Sequence, residues 1–175
     1  MNSAAGLPTT RFLQTLEIAA REGKQLSYSW SRLFSQPIDV EWVRHLDNAP
    51  EIAVELEALV SRFSRMQDTM TDKLLPRWLI ALAETPGSHI ETLNRAERLG
   101  VLASTEQWLE ARHLRNRLVH EYITDPAKFA EDLALAKEYS LMLLETFNCL
   151  RQDAITRMGH EKESLPEALP LPRHD

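Results

Sequence analysis

Cysteine and glycine are scarce in this chain of 175 residues. Its single cysteine, Cys149, cannot form a disulfide within the chain, which is the usage expected in a reducing compartment. Only 5 glycines are present, whereas Leu, Ala, Glu and Arg, which lose little side-chain freedom in a helix, are abundant. We therefore predict an all-α protein.

Long apolar runs and an excess of positive charge are also missing. No run approaches the ~20 apolar residues that a membrane span requires, and residues 1–10 lack the basic start and apolar stretch of a signal peptide. We expect a cytoplasmic protein without membrane contact. The formal net charge of -6 excludes the overall positive field that drives non-specific nucleic-acid binding, so any contact with RNA must be local.

Apolar residues at three- and four-residue spacing predict four main helices joined by short turns. The predicted ranges are about 10–34, 51–82, 104–122 and 125–158. Pro76 should kink or restart the second helix. Ser88 and Glu91, followed by Gly100, predict an extra short helix with a capping box. Together these elements predict an up-and-down four-helix bundle with an extra short helix.

The ends of the chain differ in composition from this bundle. Residues 1–9 contain glycine and proline and predict a flexible N-terminal arm, so the helical bundle should occupy residues 10–158. Residues 159–175 contain three prolines and predict a mobile C-terminal tail.

The stretch from Arg115 to Tyr122 departs from the regular pattern of the bundle. On a helical wheel Arg115 falls within the apolar arc that should face the core, where a guanidinium must be paired, extend along its stem, or face a partner surface. His120 lies about 140° around the helix from Arg115 and ~7.5 Å along it, so the two do not share a face. A two-fold dimer is one way to bring both groups to one cleft. Asn116, one turn before His120, could orient the imidazole or hold a phosphate oxygen.

These residues form an Arg-x4-His-x-Tyr pattern that resembles the signature of HepT-like proteins in the HEPN superfamily, small all-helical bundles found as ribonuclease toxins. The stretch 62–74, which looks like the family's long second helix, and a final long helix extend the resemblance over about residues 10–155. The resemblance implies the toxin of a toxin–antitoxin system, a metal-independent endoribonuclease that acts as a homodimer on RNA without a cofactor. Arg115 and His120 would be its catalytic residues, with Asn116 in the polar, substrate-binding position after the arginine.

The resemblance also implies a protein partner. HepT-like proteins are commonly paired with a minimal nucleotidyltransferase antitoxin, which can add AMP to the tyrosine of the motif. That position is Tyr122 here. Charged nucleotides attached there would crowd the cleft and repel the RNA backbone.

Two other interpretations stay open. The same bundle could be a non-catalytic helical nucleotide-binding or partner subunit of a nucleotidyltransferase. Arg65 and Asp68 are further candidates for the lining of the cleft, although Asp68 and Asp72 share a helix face and could instead be surface charges. A metal site is not expected, because His113 and His120 lie ~10.5 Å apart along one helix, too far to hold one ion without further ligands.

Overall fold

The computed structural model of the protein describes residues 3–120 and 124–173, with the backbone alone for residues 3–5 and for His120. Within these ranges the regular elements are all helical, which confirms the predicted class. The α-helices are α1 (Ser3–Leu33), α2 (Val40–Arg44), α3 (Pro50–Thr69), α4 (Leu75–Ala81), α5 (His89–Arg98), α6 (Thr105–His120) and α7 (Pro126–Thr156). Shorter 3-10 turns lie at Leu46–Asn48 and Lys162–Ser164, and a π-helical turn lies at Met70–Leu74. No helix among the described residues is long and apolar enough to span a bilayer.

The bundle consists of α1, of α3 with its continuation α4, of α6 and of α7. Helix α1 packs against α3 and α7, and α6 also packs against α3 and α7, so each long helix contacts two neighbours. Helix α5 is the extra short helix and packs on α4 and α6, while α2 packs on α7. The predicted up-and-down four-helix bundle with an extra short helix is therefore confirmed.

Large aromatic side chains fill the centre of the bundle. The largest fully buried ones come from four different helices and their continuations: Phe12, Trp30, Phe63, Trp78, Trp108 and Phe147. Two of the indoles also satisfy their N–H groups across the core. Trp30 Nε1 donates to the carbonyl of Lys137 at 2.9 Å, and Trp78 Nε1 donates to Asp153 Oδ2 at 2.8 Å. These two rings therefore bury a large apolar surface and keep their N–H groups bonded, whereas the buried Nε1 of Trp108 has no partner among the described residues.

Local capping explains several helix boundaries. Ser88 and Glu91 form the predicted capping box at the start of α5. Gly100 has a φ of 82° and ends the same helix, with its N–H donating to the Glu97 carbonyl. Asp125 caps α7 by accepting from the Lys128 N–H at 3.2 Å. These ends depend on residues within six positions of each other, and the sequence predicted them correctly.

The first helix begins at Ser3, where the sequence predicted a flexible arm up to residue 9 and a helix start at Thr10. Thr10 does not cap a helix. Its hydroxyl donates to the Gly6 carbonyl at 2.8 Å, the bond made by a threonine inside a helix. Pro8 lies within α1, where its missing N–H costs one backbone hydrogen bond close to the helix end.

The C-terminal segment packs on the bundle, although its prolines predicted a mobile tail. Leu165 and Leu169 are buried, and both main-chain polar groups of Leu169 bond to the Asn148 amide, at 2.8 and 2.9 Å. Gly23 of α1 leaves the space that Leu169 occupies, since a Cβ at Gly23 would overlap with Leu169 Cδ1. Arg151 Nε also donates to the Pro166 carbonyl at 2.6 Å. Proline restricts φ but does not prevent packing, so these contacts hold the segment on the bundle despite its prolines.

Pro76 interrupts the second bundle helix as predicted, and the structure shows how. The π-helical turn ends with the Leu75 N–H donating to the Met70 carbonyl five residues earlier, and Pro76 then falls in the first turn of α4. There its missing N–H is tolerated. π-helical turns often occur at functional positions, and this one directs Asp72 and Lys73 toward the groove described next.

Candidate functional site

Helix α6 places Arg115 at the edge of its core-facing side. Four of the apolar residues predicted for that side are buried, namely Trp108, Ala111, Leu114 and Leu118, whereas Val119, predicted for the same side, is 47% exposed. The side chain of Arg115 is 31% exposed, so its stem packs beside the core while the guanidinium reaches the surface.

Arg115 is paired across the bundle. Its Nη2 lies 2.9 Å from Oδ2 of Asp68 on α3, and its Nη1 donates to Oδ1 of the adjacent Asn116 at 3.1 Å. The Nε–H is buried and has no hydrogen-bond partner among the described residues. Of the three options that the sequence allowed for this arginine, two are observed together: its stem extends to the surface, and its guanidinium is paired. Asn116 contacts the arginine itself and orients its guanidinium.

A groove of about 690 Å³ separates α3 from α6 and contains this ion pair. Its volume falls within the range of small-molecule binding sites. Three cations line it, namely Arg65, Lys73 and Arg115, together with three carboxylates, namely Glu57, Asp68 and Asp72. The groove thus has no net charge from these six side chains, and an anion would bind through local contacts. Arg65 and Asp68, the two further candidates for a cleft lining, both lie here.

The remaining lining of the groove is apolar or carries hydroxyl groups. The apolar side chains are Leu56, Val60, Leu118 and Val119, and the hydroxyl groups belong to Ser61, Ser64 and Thr69. Ser64 is 8% exposed, and its Oγ has no partner among the described residues. A mid-helix serine normally bonds a main-chain carbonyl, so this unpaired hydroxyl is a group that a small rearrangement would make available to a ligand.

Glu22 of α1 lies behind the charged end of the groove, and no local sequence pattern singled it out. Thr69 Oγ1 donates to Glu22 Oε1 at 2.9 Å. Burial raises the pKa of the Glu22 carboxyl, while the bond from Thr69 and the positive charges of Arg65 and Lys73 lower it in part. The net pKa is raised, which shows that desolvation outweighs the neighbouring cations at this position.

A second arginine–aspartate pair lies next to the first. Arg117 donates to Asp132 of α7 through Nε at 3.2 Å and Nη2 at 3.0 Å. The side chain of Asp132 is only 4% exposed. This bidentate pair attaches the end of α6 to α7.

The predicted histidine and tyrosine cannot be compared in position with Arg115 in the described part of the chain. The backbone of His120 ends α6, but its side chain and the whole of Tyr122 lie outside the described residues. Among the described side chains, no group of three or more His, Cys, Asp or Glu residues is placed to hold a metal ion. The described site is therefore Arg115, its partners Asp68 and Asn116, and the groove around them.

No protein-family model, curated protein or solved structure matches this chain. A function must therefore be argued from the groove and from the motif itself.

Proposed function

We propose that the protein is a metal-independent endoribonuclease of the HepT-like type, the toxin of a toxin–antitoxin system. The observation that carries this proposal is the position of Arg115. It lies in a groove of ligand-binding size together with Arg65 and Lys73, so three cations from different turns of the bundle surround one space. A phosphate in that space would find charge-assisted donors, of which guanidinium groups bind phosphate oxygens most specifically.

The proposed reaction uses the ribose of the RNA as its own nucleophile. The 2′-oxygen forms a bond to the adjacent phosphorus, and the bond from phosphorus to the 5′-oxygen breaks, giving a 2′,3′-cyclic phosphate and a 5′-hydroxyl end. His120 transfers the proton between the two oxygens, for which the ordinary pKa of histidine is suitable. Arg115 stabilises the negative charge that accumulates on the phosphoryl oxygens.

The proposed site is completed by a second copy of the chain. Since Arg115 and His120 point to different sides of an ideal helix, a two-fold dimer would bring the arginine of one protomer near the histidine of its partner. Asn116, which bonds Arg115 at 3.1 Å, would contact substrate beside it. Tyr122 would be the site at which a minimal nucleotidyltransferase antitoxin adds AMP and repels RNA.

A non-catalytic nucleotide-binding or partner subunit is the second candidate. The charge balance of the groove favours it. Arg115 already forms an ion pair with Asp68, and the lining carboxylates equal the lining cations in number. A groove of this kind would bind a nucleotide weakly and reversibly without promoting its cleavage.

Cleavage of RNA by substituted proteins tests the proposal. We expect Arg115→Ala and His120→Ala each to lower the rate of cleavage by about 10²–10⁴-fold, with and without EDTA. The same helix supplies matched controls. Arg112→Ala and His113→Ala remove an exposed arginine and an exposed histidine outside the groove, and both should retain the wild-type rate.

Two results would reject the ribonuclease. One is cleavage that survives both Arg115→Ala and His120→Ala, which would identify a contaminating nuclease. The other is a wild-type protein that binds RNA but does not cut it, which would establish the binding subunit.

A further inference from the structure

We propose that the apolar half of the groove holds one unpaired base of the RNA, next to the phosphate bound at Arg115. This inference rests on the proposed function and adds a binding subsite to it, namely one for the base at the cleavage position.

The groove is divided by the Arg115–Asp68 pair. In an up-and-down bundle α3 and α6 run in opposite directions. Residues that precede Asp68 on α3 therefore lie on the same side of the pair as residues that follow Arg115 on α6. On that side are Val60 and Val119, whereas Lys73 lies on the other.

The apolar half of the groove is buried at its base and open to solvent along its sides. Leu56 and Leu118 are buried, at 0% and 3% exposure, and form the floor. Val60 is half-buried, and Val119 is 47% exposed. An isolated exposed valine needs no explanation, but one that continues a buried apolar floor into a groove leaves a surface that a flat apolar group would cover.

The distances suit a single nucleotide. Val119 is one helical turn beyond Arg115, or ~6 Å along α6, and Val60 is two turns before Asp68, or ~12 Å along α3. A base between the two valines would thus lie within the reach of one ribose from a phosphate at the guanidinium. Ser64 lies between Val60 and Asp68 on α3, and its buried hydroxyl, which has no partner among the described residues, would bond the ribose or the edge of the base only after its side chain turns toward the groove.

The combination of groups identifies the ligand. An apolar peptide would bring no anion to Arg65 and Arg115, which share the groove only with its own carboxylates, and a simple anion would leave the valines uncovered. A nucleotide supplies both a flat apolar ring and a phosphate, and the amino groups of its base can donate to Glu57, which lies on the apolar side of the Arg115–Asp68 pair. Bases in a duplex are stacked and paired, so only an unpaired base can enter the groove.

The test compares RNA with and without bases. The probes are two fluorescent 2′-O-methyl oligoribonucleotides of one length, one normal and one abasic at every position. Neither can be cleaved by the proposed reaction, because the nucleophilic 2′-oxygen is blocked. We expect removal of the bases to weaken binding to the wild-type dimer by about fivefold or more, as measured by fluorescence anisotropy.

Substitutions then locate the effect. In Val60→Asn and in Val119→Asn the difference between the two probes should fall below about twofold. Val54→Asn is the matched control: Val54 is also on α3, is 64% exposed and lies outside the groove lining, so the wild-type difference should persist. Because Val119 is exposed, its substitution should leave the thermal unfolding temperature unchanged.

The outcomes separate this inference from the ribonuclease. Equal binding of both probes to the wild type, or a difference that persists in both groove variants, overturns the base site even if cleavage depends on Arg115. A difference that both groove variants remove supports the base site even if RNA is never cut.

Discussion

Two arginine–aspartate pairs lie two residues apart on α6 and differ in the surroundings of the carboxylate. Arg117 holds Asp132 through two nitrogens, and the side chain of Asp132 is 4% exposed. Arg115 holds Asp68 through one nitrogen, and the side chain of Asp68 is 49% exposed. The Arg117–Asp132 pair is therefore a buried contact that joins α6 to α7, whereas the Arg115–Asp68 pair is a solvent-exposed contact at the groove.

Solvent explains why the two pairs should behave differently. Removing one partner of a buried pair leaves a charge without water or counter-charge, which costs about 3–5 kcal/mol. An exposed pair is worth about 0–1 kcal/mol because water and salt replace the lost partner. On the proposed function, a phosphate would thus displace Asp68 from Arg115 at small cost, while the Arg117–Asp132 pair stays in place.

The largest expected effect concerns stability. Asp132→Asn should lower the free energy of unfolding by about 2–3 kcal/mol, less than for a fully buried pair because Arg117 is itself 30% exposed. Asp68→Asn, the same chemical change in the other pair, should lower it by less than about 1 kcal/mol. Urea denaturation at equilibrium measures both. Equal decreases in the free energy of unfolding would show that the burial of Asp132 does not make its pair more stabilising than the exposed pair of Asp68.

A smaller effect concerns the affinity of the groove for RNA. Asp68→Asn should strengthen binding of a 2′-O-methyl oligoribonucleotide by about fivefold at low salt, because the ligand no longer competes for Arg115 with a contact worth about 1 kcal/mol. Glu57→Gln removes one carboxylate from the same groove without touching that pair, so it serves as the control and should change the affinity less. Weaker binding in Asp68→Asn would instead mean that Asp68 orients Arg115 for its ligand.

The smallest expected effect concerns how the free energy of unfolding changes with pH through His89, which lies near the groove carboxylate Asp72. Burial, and then the positive charge of Arg112, lower the pKa of His89, while the groove carboxylate Asp72 raises it in part. The folded protein thus favours the neutral imidazole, and this contribution to stability is complete above the ordinary pKa of 6.5 and decreases as the pH falls below it.

Substitution isolates that contribution. His89→Gln should make the free energy of unfolding depend less steeply on pH just below 6.5, as measured by urea denaturation across that range. His113→Gln, at an exposed histidine of α6, is the comparison variant and is measured in the same way. An unchanged slope in His89→Gln would mean that burial and Arg112 do not disfavour the charged imidazole.

Much of the fold could be predicted because helices are specified locally. A helix closes its hydrogen bonds within four residues, so capping residues such as Ser88 and Asp125 and the periodic apolar residues of α6 are sufficient to place it. The two ends of the chain were harder to predict. The C-terminal segment is held by contacts of Leu169 with Asn148 and Gly23, which are remote in sequence and leave no local pattern.

Only part of the candidate site could be predicted in the same way. The position of Arg115 in an apolar arc follows from helical periodicity. The same position required that its guanidinium be paired, extend along its stem, or face a partner surface. That this partner is Asp68, and that Arg65 shares the groove, depends on how α3 packs against α6. Arg117 and Asp132 were not among the residues singled out in the sequence, because nothing local shows that a carboxylate on α7 will be buried.

The sequence by itself determined that the chain is helical, where most of its helices end, and that an arginine near the end of α6 lies beside the core. Those properties depend on hydrogen bonds and periodicity within a few residues. The tertiary structure alone decided which of two neighbouring arginines pairs with a buried carboxylate and which pairs with an exposed one. That difference depends on how much water reaches each carboxylate, and water access is a property of the packed bundle.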